Sequence, residues 1–190
     1  MDPNDHTITL YSAQARPVLE ALRRDGVCFS REAYVAKKYQ EISPLFLTAY
    51  RWFVSRAGAI VPPPEGAEFP YWAFRDPYSV EGSGDVEILR LEVPADQVIL
   101  FDLYDWNRIL QLELLPASEE EGQAFRRELR LRGITTRDVM LTDFYPELRQ
   151  QILTSWQRLL RHHEALLRGD CSGVGGVQAA LWQIRSEWIR

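Results

Sequence analysis

VEILRLEVPADQVILFDLYDWNRIL, residues 86–110, is the stretch whose changes of period decide the fold. From Val86 to Val93, Glu87, Leu89, Leu91 and Val93 share one side and Val86, Ile88, Arg90 and Glu92 the other. That is the alternation of a strand buried mainly on one face, with Glu87 at its wet end. Pro94, Ala95 and Asp96 turn the chain into Val98–Phe101, a short apolar strand, and Asp102 leads into DWNRILQLELL, where the spacing becomes helical. The unit is strand, turn, strand, helix.

Working outward, TITLY from Thr7 to Tyr11 reads as a first strand, and PVLEALRRDG as a helix with Pro17 early, Val18 and Leu22 one turn apart, and Gly26 as its stop. Ser43 and Pro44 signal a second helix start, after which Phe46, Tyr50, Phe53 and Ala57 form a core-facing stripe ending near Gly58. The prolines of IVPPPEGAEFPYWAF forbid a helix there and leave Tyr71–Phe74 as an extended run. Ser118 and Glu121 make a capping-box pattern for a helix that stops at Gly133. A longer helix is expected from Pro146 to Arg168, its apolar stripe running from Leu148 through Trp156 and His163 to Leu167. About five helices and six short strands that do not alternate regularly predict an α+β fold, with a mixed or antiparallel sheet in one domain spanning residues 1–190.

Composition narrows the function classes. A 190-residue chain that is 46% hydrophobic with a formal charge of -5 suits one compact domain. Its basic residues are interleaved with acids, as in RRELRLR at 126–132, which reads as a solvated helix face and argues against generic duplex nucleic-acid binding. The start MDPNDHTITL lacks the pattern of a secretory leader, and no apolar run reaches membrane-spanning length. With only Cys28 and Cys171 as thiols, a cytoplasmic protein without a membrane partner is expected.

The common nucleotide-loop, nucleophile-elbow and zinc-protease motifs do not occur in the sequence. His162 and His163 are adjacent, so on a helix they point about 100° apart, and no metal is expected. The aromatics are more informative. Trp52 and Trp156 lie on or beside apolar stripes, whereas Tyr71, Trp72, Trp106 and Trp182 adjoin turns, strand ends or polar side chains. Convergence of the second group would make an apolar cleft with a few oriented polar groups, the usual form of a small-molecule site.

In sequence order, LYSAQ, PPPEG followed by FPYWAF, LEVPADQVILFDLYDWNRIL and VQAALWQIRSEWI together resemble the bacterial domain of unknown function 3841 family over nearly the whole chain. That resemblance implies one complete domain and carries no activity. The chain is also similar to small ADP-ribosyltransferase-like domains, in its opening strand, glycine-stopped helix and mid-chain strand-turn-strand. This second resemblance implies NAD as cofactor, with Ser12 or Gln14 holding the dinucleotide, Tyr71 or Trp72 covering the nicotinamide, and Gln178 or Glu187 at the acid's place. Ser12 stands where those enzymes carry Arg or His, and a glutamine cannot stabilise an oxocarbenium-like transition state by charge.

Two functions follow as expectations. In an ADP-ribosyltransferase-like protein, Trp72 and Trp106 stack the nicotinamide riboside, Trp182 lines the cleft, Gln14 and Gln178 bond the ribose, and Glu187 or Asp102 supplies charge. In a non-catalytic binding module, the same aromatic cleft takes a peptide or partner protein. The tail GVGGVQAALWQIRSEWIR, residues 173–190, bears on both: as one extended strand it puts Gln178, Trp182, Ile184 and Trp188 on one face and Gln183, Arg185 and Glu187 on the other, which favours Gln178 as the functional end.

Overall fold

A computed structural model describes residues 6–34 and 43–190. Five strands form one sheet in the order β4-β1-β3-β6-β5: β1 Thr7–Ala15, β3 Tyr71–Phe74, β4 Val86–Pro94, β5 Ile99–Asp102 and β6 Val177–Leu181. All their pairings are antiparallel, so of the mixed and antiparallel sheets expected of the α+β fold it is the antiparallel one. β2 Val27–Phe29 and β7 Gln183–Arg185 form a second, two-stranded sheet. Around the sheets, among the described residues, lie α1 Arg16–Asp25, α2 Ser43–Ala57, α3 Leu103–Leu110, α4 Glu119–Arg132, α5 Thr136–Leu141, α6 Pro146–Trp156 and α7 His163–Leu167. The side chain of Ser43, and with it the expected cap, lies outside the described part. Among the described residues no helix is long and apolar enough to cross a membrane.

The opening stretch forms its strand, turn, strand and helix, but the helix expected over DWNRILQLELL ends at Leu110, and residues 111–115 lie outside it. β4 pairs with β1 along its whole length, from Thr7 opposite Pro94 to Ala15 opposite Val86, and Leu89, Leu91 and Val93 are buried while Glu87 is exposed. β1 therefore runs four residues beyond the expected Tyr11. Asp102 ends β5 and caps α3 by accepting the Tyr104 N–H at 2.8 Å. Gly26 closes α1 with φ 73°, a conformation that spares glycine the Cβ clash any other residue would meet.

Each face of the main sheet has its own core. On one side α2, α3, α4, α5 and α6 bury Phe53, Trp106, Phe125, Met140 and Trp156 against Ile99, Phe101 and Ala180. On the other, α1, α7 and the chain end bury Leu22, Leu166, Ile184 and Trp188 against Leu10, Leu91, Leu100 and Ala179. α5 has no counterpart in the expected element list, although Thr135 and Asp138 form a complete capping box. Leu112, just past α3, has φ 60° with its side chain fully buried. Left-handed backbone costs a residue with a Cβ about 1–2 kcal/mol, which complete burial of a leucine offsets.

The long helix expected over 146–168 is broken. α6 stops at Trp156, residues 157–162 continue as a 3₁₀ turn, and α7 begins at His163. Six residues at 120° rather than 100° each re-phase the second half by about 120°. The break coincides with contacts that demand specific directions: the Trp156 indole donates to the Glu113 carbonyl at 2.7 Å, Arg158 to the Leu115 carbonyl at 2.6 Å, and Arg161 lies 3.1 Å from Asp105.

His163 closes the edge of β5, its Nδ1 accepting the Leu100 N–H at 3.1 Å. Burial lowers its pKa below the ordinary histidine value, against the raising effect of Glu164. Nδ1 must be unprotonated to accept, and the unfolded imidazole titrates near pH ~6.5. The unfolded chain thus binds the proton more readily, so this contribution is complete above that pH and is lost as pH falls through the lower folded value. Urea midpoints should fall between pH 7.5 and 5.5, and a His163→Leu variant should show a smaller fall. An equal fall in both proteins contradicts the assignment.

Candidate functional site

Antiparallel partners present their side chains on the same face, so the strand registers sort every predicted residue. Tyr11 lies opposite both Arg90 and Phe74, Phe74 opposite Gln178, and Gln178 opposite Phe101. One row therefore crosses the sheet as Arg90, Tyr11, Phe74, Gln178, Phe101. Its Arg90 end is exposed, Tyr11 and Phe74 are half-buried, and Gln178 and Phe101 are buried. Trp72 shares this face by strand alternation, and Trp106 and Trp182 belong to the core on the same side. Ser12, Gln14 and Tyr71 point to the opposite face.

The predicted residues are thus divided by the sheet and do not line one cleft. Trp106, 1% exposed, packs its ring 4.8 Å from Trp72 and 5.4 Å from Phe53. Trp182 is buried with its indole N–H donated to the Val61 carbonyl at 2.6 Å, and Trp72 donates to the Tyr50 hydroxyl at 2.7 Å. These aromatics fill a core, where a stacking ligand would have to displace packed rings.

The tail explains part of the division. β6 ends at Leu181, and the chain passes through Trp182 into β7 of the other sheet, so the single alternation expected from Gln178 to Trp188 breaks at Trp182. Gln178 and Trp182 face one core, and Ile184 and Trp188 the other. Glu187 follows β7 on an exposed 3₁₀ turn, 2.8 Å from Arg185.

On the opposite face, Gln14 donates to the Ser12 hydroxyl at 2.8 Å, and Ser12 donates to the Trp72 carbonyl at 2.6 Å. The Tyr71 hydroxyl donates to Cys28 Sγ at 3.0 Å, and burial, reinforced by Cys28, pushes its pKa well above the ordinary phenol value. Cys28 and Cys171 are both free thiols. Ser12, Gln14 and Tyr71 therefore have roles inside this half of the core.

Asp102 is likewise occupied. One carboxylate oxygen takes the Tyr104 N–H, and the other takes the Gly175 N–H at 3.1 Å. The glycines let the 173–176 loop come this close: a Cβ on Gly175 would lie 2.6 Å from the Tyr104 ring, and one on Gly173 2.8 Å from the His162 ring. Asp102→Ala should cost about 1–3 kcal/mol, since it removes a helix cap and leaves a second N–H without its acceptor. An unchanged urea midpoint would contradict that structural role. Asp105, one turn away, has its pKa raised by burial against the lowering effect of Arg161, whose guanidinium lies 3.1 Å from Oδ2.

Gln178 is different. It is 4% exposed, and its Oε1 has no hydrogen-bond partner among the described residues. A buried amide carbonyl left in this state costs about 1–3 kcal/mol, and such a group calls for a reason to be retained. Its neighbours Phe74 and Tyr11 lead from it toward the exposed Arg90, which lies 3.2 Å from Glu92. Tyr11, Phe74 and Arg90 are absent from the sequence-based site, although the parity of β1 and β4 places Tyr11 and Arg90 on the less buried face of each strand. Only the registers of β3 and β6 connect them to Gln178. Among the described residues no group of three His, Cys, Asp or Glu is arranged to hold a metal ion. Two surface hollows, of about 330 and 210 Å³, are lined by none of the predicted site residues.

The sequence profile of a domain of unknown function, DUF3841, matches residues 9–190. The chain belongs to the DUF3841 family. The match takes in the whole main sheet of this DUF3841 domain apart from the first two residues of β1, and includes all five members of the Gln178 row. No curated protein and no solved structure matches the chain.

Proposed function

We propose that this DUF3841 domain binds a small molecule bearing a carboxamide, with NAD as the candidate, through the row that ends at Gln178. The carrying observation is the buried, unpartnered Gln178 Oε1 on the face that runs out to solvent past Phe74 and Tyr11. An acceptor in that position is satisfied by a ligand N–H. A nicotinamide carboxamide supplies one on a flat ring suited to aromatic neighbours.

The proposed activity is binding without transfer. Stabilising an oxocarbenium-like transition state calls for a carboxylate beside the ribose. Asp102 is held by two backbone N–H groups, and Glu187 stands on an exposed turn beside Arg185. The amide at position 178 carries no charge.

Thermal unfolding with and without NAD tests the proposal. At a ligand concentration about 100 times Kd, binding adds about 2.7 kcal/mol, or roughly 5–10 °C in Tm for a chain of this size. The expected result is that shift with no release of nicotinamide. Release would assign the transferase chemistry, and no shift at millimolar NAD would remove the dinucleotide.

A further inference from the structure

A second site lies in the helical layer. The hollow of about 330 Å³ sits between α3, the turn that follows it, and α4, with Leu114 and Phe125 as its buried floor. Arg108 and Arg126 stand on its lining, and neither is in an ion pair among the described residues. Glu113 is the one carboxylate among the lining residues, so the lining carries net positive charge.

Gly122 is the feature that separates this hollow from a packing gap. It is buried in the first turn of α4, the fourth residue of the helix, where it faces Pro116 and Arg126. A Cβ there would lie 3.3 Å from both Arg126 Nη1 and the Pro116 ring, so any larger residue crowds the wall of the hollow and the guanidinium beside it. The volume falls at the lower end of the range of small-molecule pockets. An apolar floor with two guanidiniums that no ion pair among the described residues engages suits a ligand with an apolar body and an acidic head, since the planar fork of Arg matches a carboxylate.

We infer that this hollow binds a small amphiphilic carboxylate, its head taken by Arg108 and Arg126 and its apolar chain lying against Leu114 and Phe125. The test is titration of octanoate into the full-length, ¹⁵N-labelled chain, followed by NMR, with octanol as the uncharged control. Saturable shifts at Gly122, Phe125 and Leu129 are expected, with binding at least tenfold weaker for octanol and for the Arg108→Gln/Arg126→Gln double variant. Gly122→Ala should also weaken octanoate binding while circular dichroism reports an unchanged fold. The double variant alters only exposed side chains, so it decides the matter even where Gly122→Ala perturbs the helix. Absence of octanoate shifts, equal binding of octanol, or undiminished binding by the double variant overturns the inference, as does a response only to a peptide's C-terminal carboxylate. NAD binding at Gln178 is independent of every one of these outcomes.

Discussion

Trp106→Ala should lower the free energy of unfolding by about 3–5 kcal/mol, the largest effect expected of any single substitution discussed for this chain. The side chain is 1% exposed and meets the rings of Tyr50, Phe53, Trp72 and Phe101 at centroid distances between 4.8 and 6.0 Å. Removing it deletes a large apolar surface and leaves a cavity whose walls come from α2, α3, β3 and β5, elements too firmly packed to collapse fully onto the space. Edge-on ring contacts add their own share beyond the buried area. Chemical denaturation followed by circular dichroism reads the change. A loss under about 1 kcal/mol would mean that Trp106 lines an open cleft, as the sequence pattern alone suggests, rather than the core.

Gln178→Leu should have two effects of opposite sign. Replacing the amide by an apolar side chain of similar length removes an unsatisfied buried carbonyl, so the free protein should gain about 1–2 kcal/mol of stability. The same change removes the acceptor assigned to the ligand carboxamide. A site built to accept a hydrogen bond loses about 1–3 kcal/mol when it cannot, so NAD affinity should fall by about tenfold or more. Few purely structural residues give more stability and less binding in one variant. If Gln178→Leu destabilises the chain and leaves NAD affinity unchanged, its amide is part of the packing and has no ligand role.

Much of the fold was legible in the sequence because local and tertiary demands agree there. Leu89, Leu91 and Val93 alternate because β4 is covered on one face, and Gly26 and Gly133 end helices in the left-handed conformation that their sequence positions suggest. Legibility fails where distant partners decide. Period alone cannot show that residues 157–162 tighten into a 3₁₀ turn, because the reason lies in contacts with Asp105 and Leu100 far along the chain. Nor can it show that the tail changes sheets at Trp182, because the competing partner strand is β2, more than 150 residues earlier in sequence.

The candidate site divides along the same line. Gln178 stood out by its place after the glycine turn, and that turn is required by the close approach of Gly173 and Gly175 to His162 and Tyr104. Of the residues expected beside it, Trp72, Trp106 and Trp182 share its side of the sheet and Ser12, Gln14 and Tyr71 do not, because strand parity turns sequence neighbours such as Tyr11 and Ser12, or Tyr71 and Trp72, to opposite faces. A cluster of aromatic letters records composition, and the register of four strands decides which of them can share a ligand. Tyr11 and Phe74, which the letters alone pass over, flank Gln178 in space because β3 lies between β1 and β6.

The most direct measurement is a ¹⁵N NMR titration of the full-length chain with NAD, following the side-chain amide of Gln178 and the backbone amides of Tyr11, Phe74, Ser12 and Gln14. Saturable shifts at Gln178, Tyr11 and Phe74, with Ser12 and Gln14 on the far face little changed, are the predicted result. Shifts confined to Ser12, Gln14 and Cys28, or no shift at Gln178 at saturating NAD, would contradict a carboxamide-binding row that ends at Gln178.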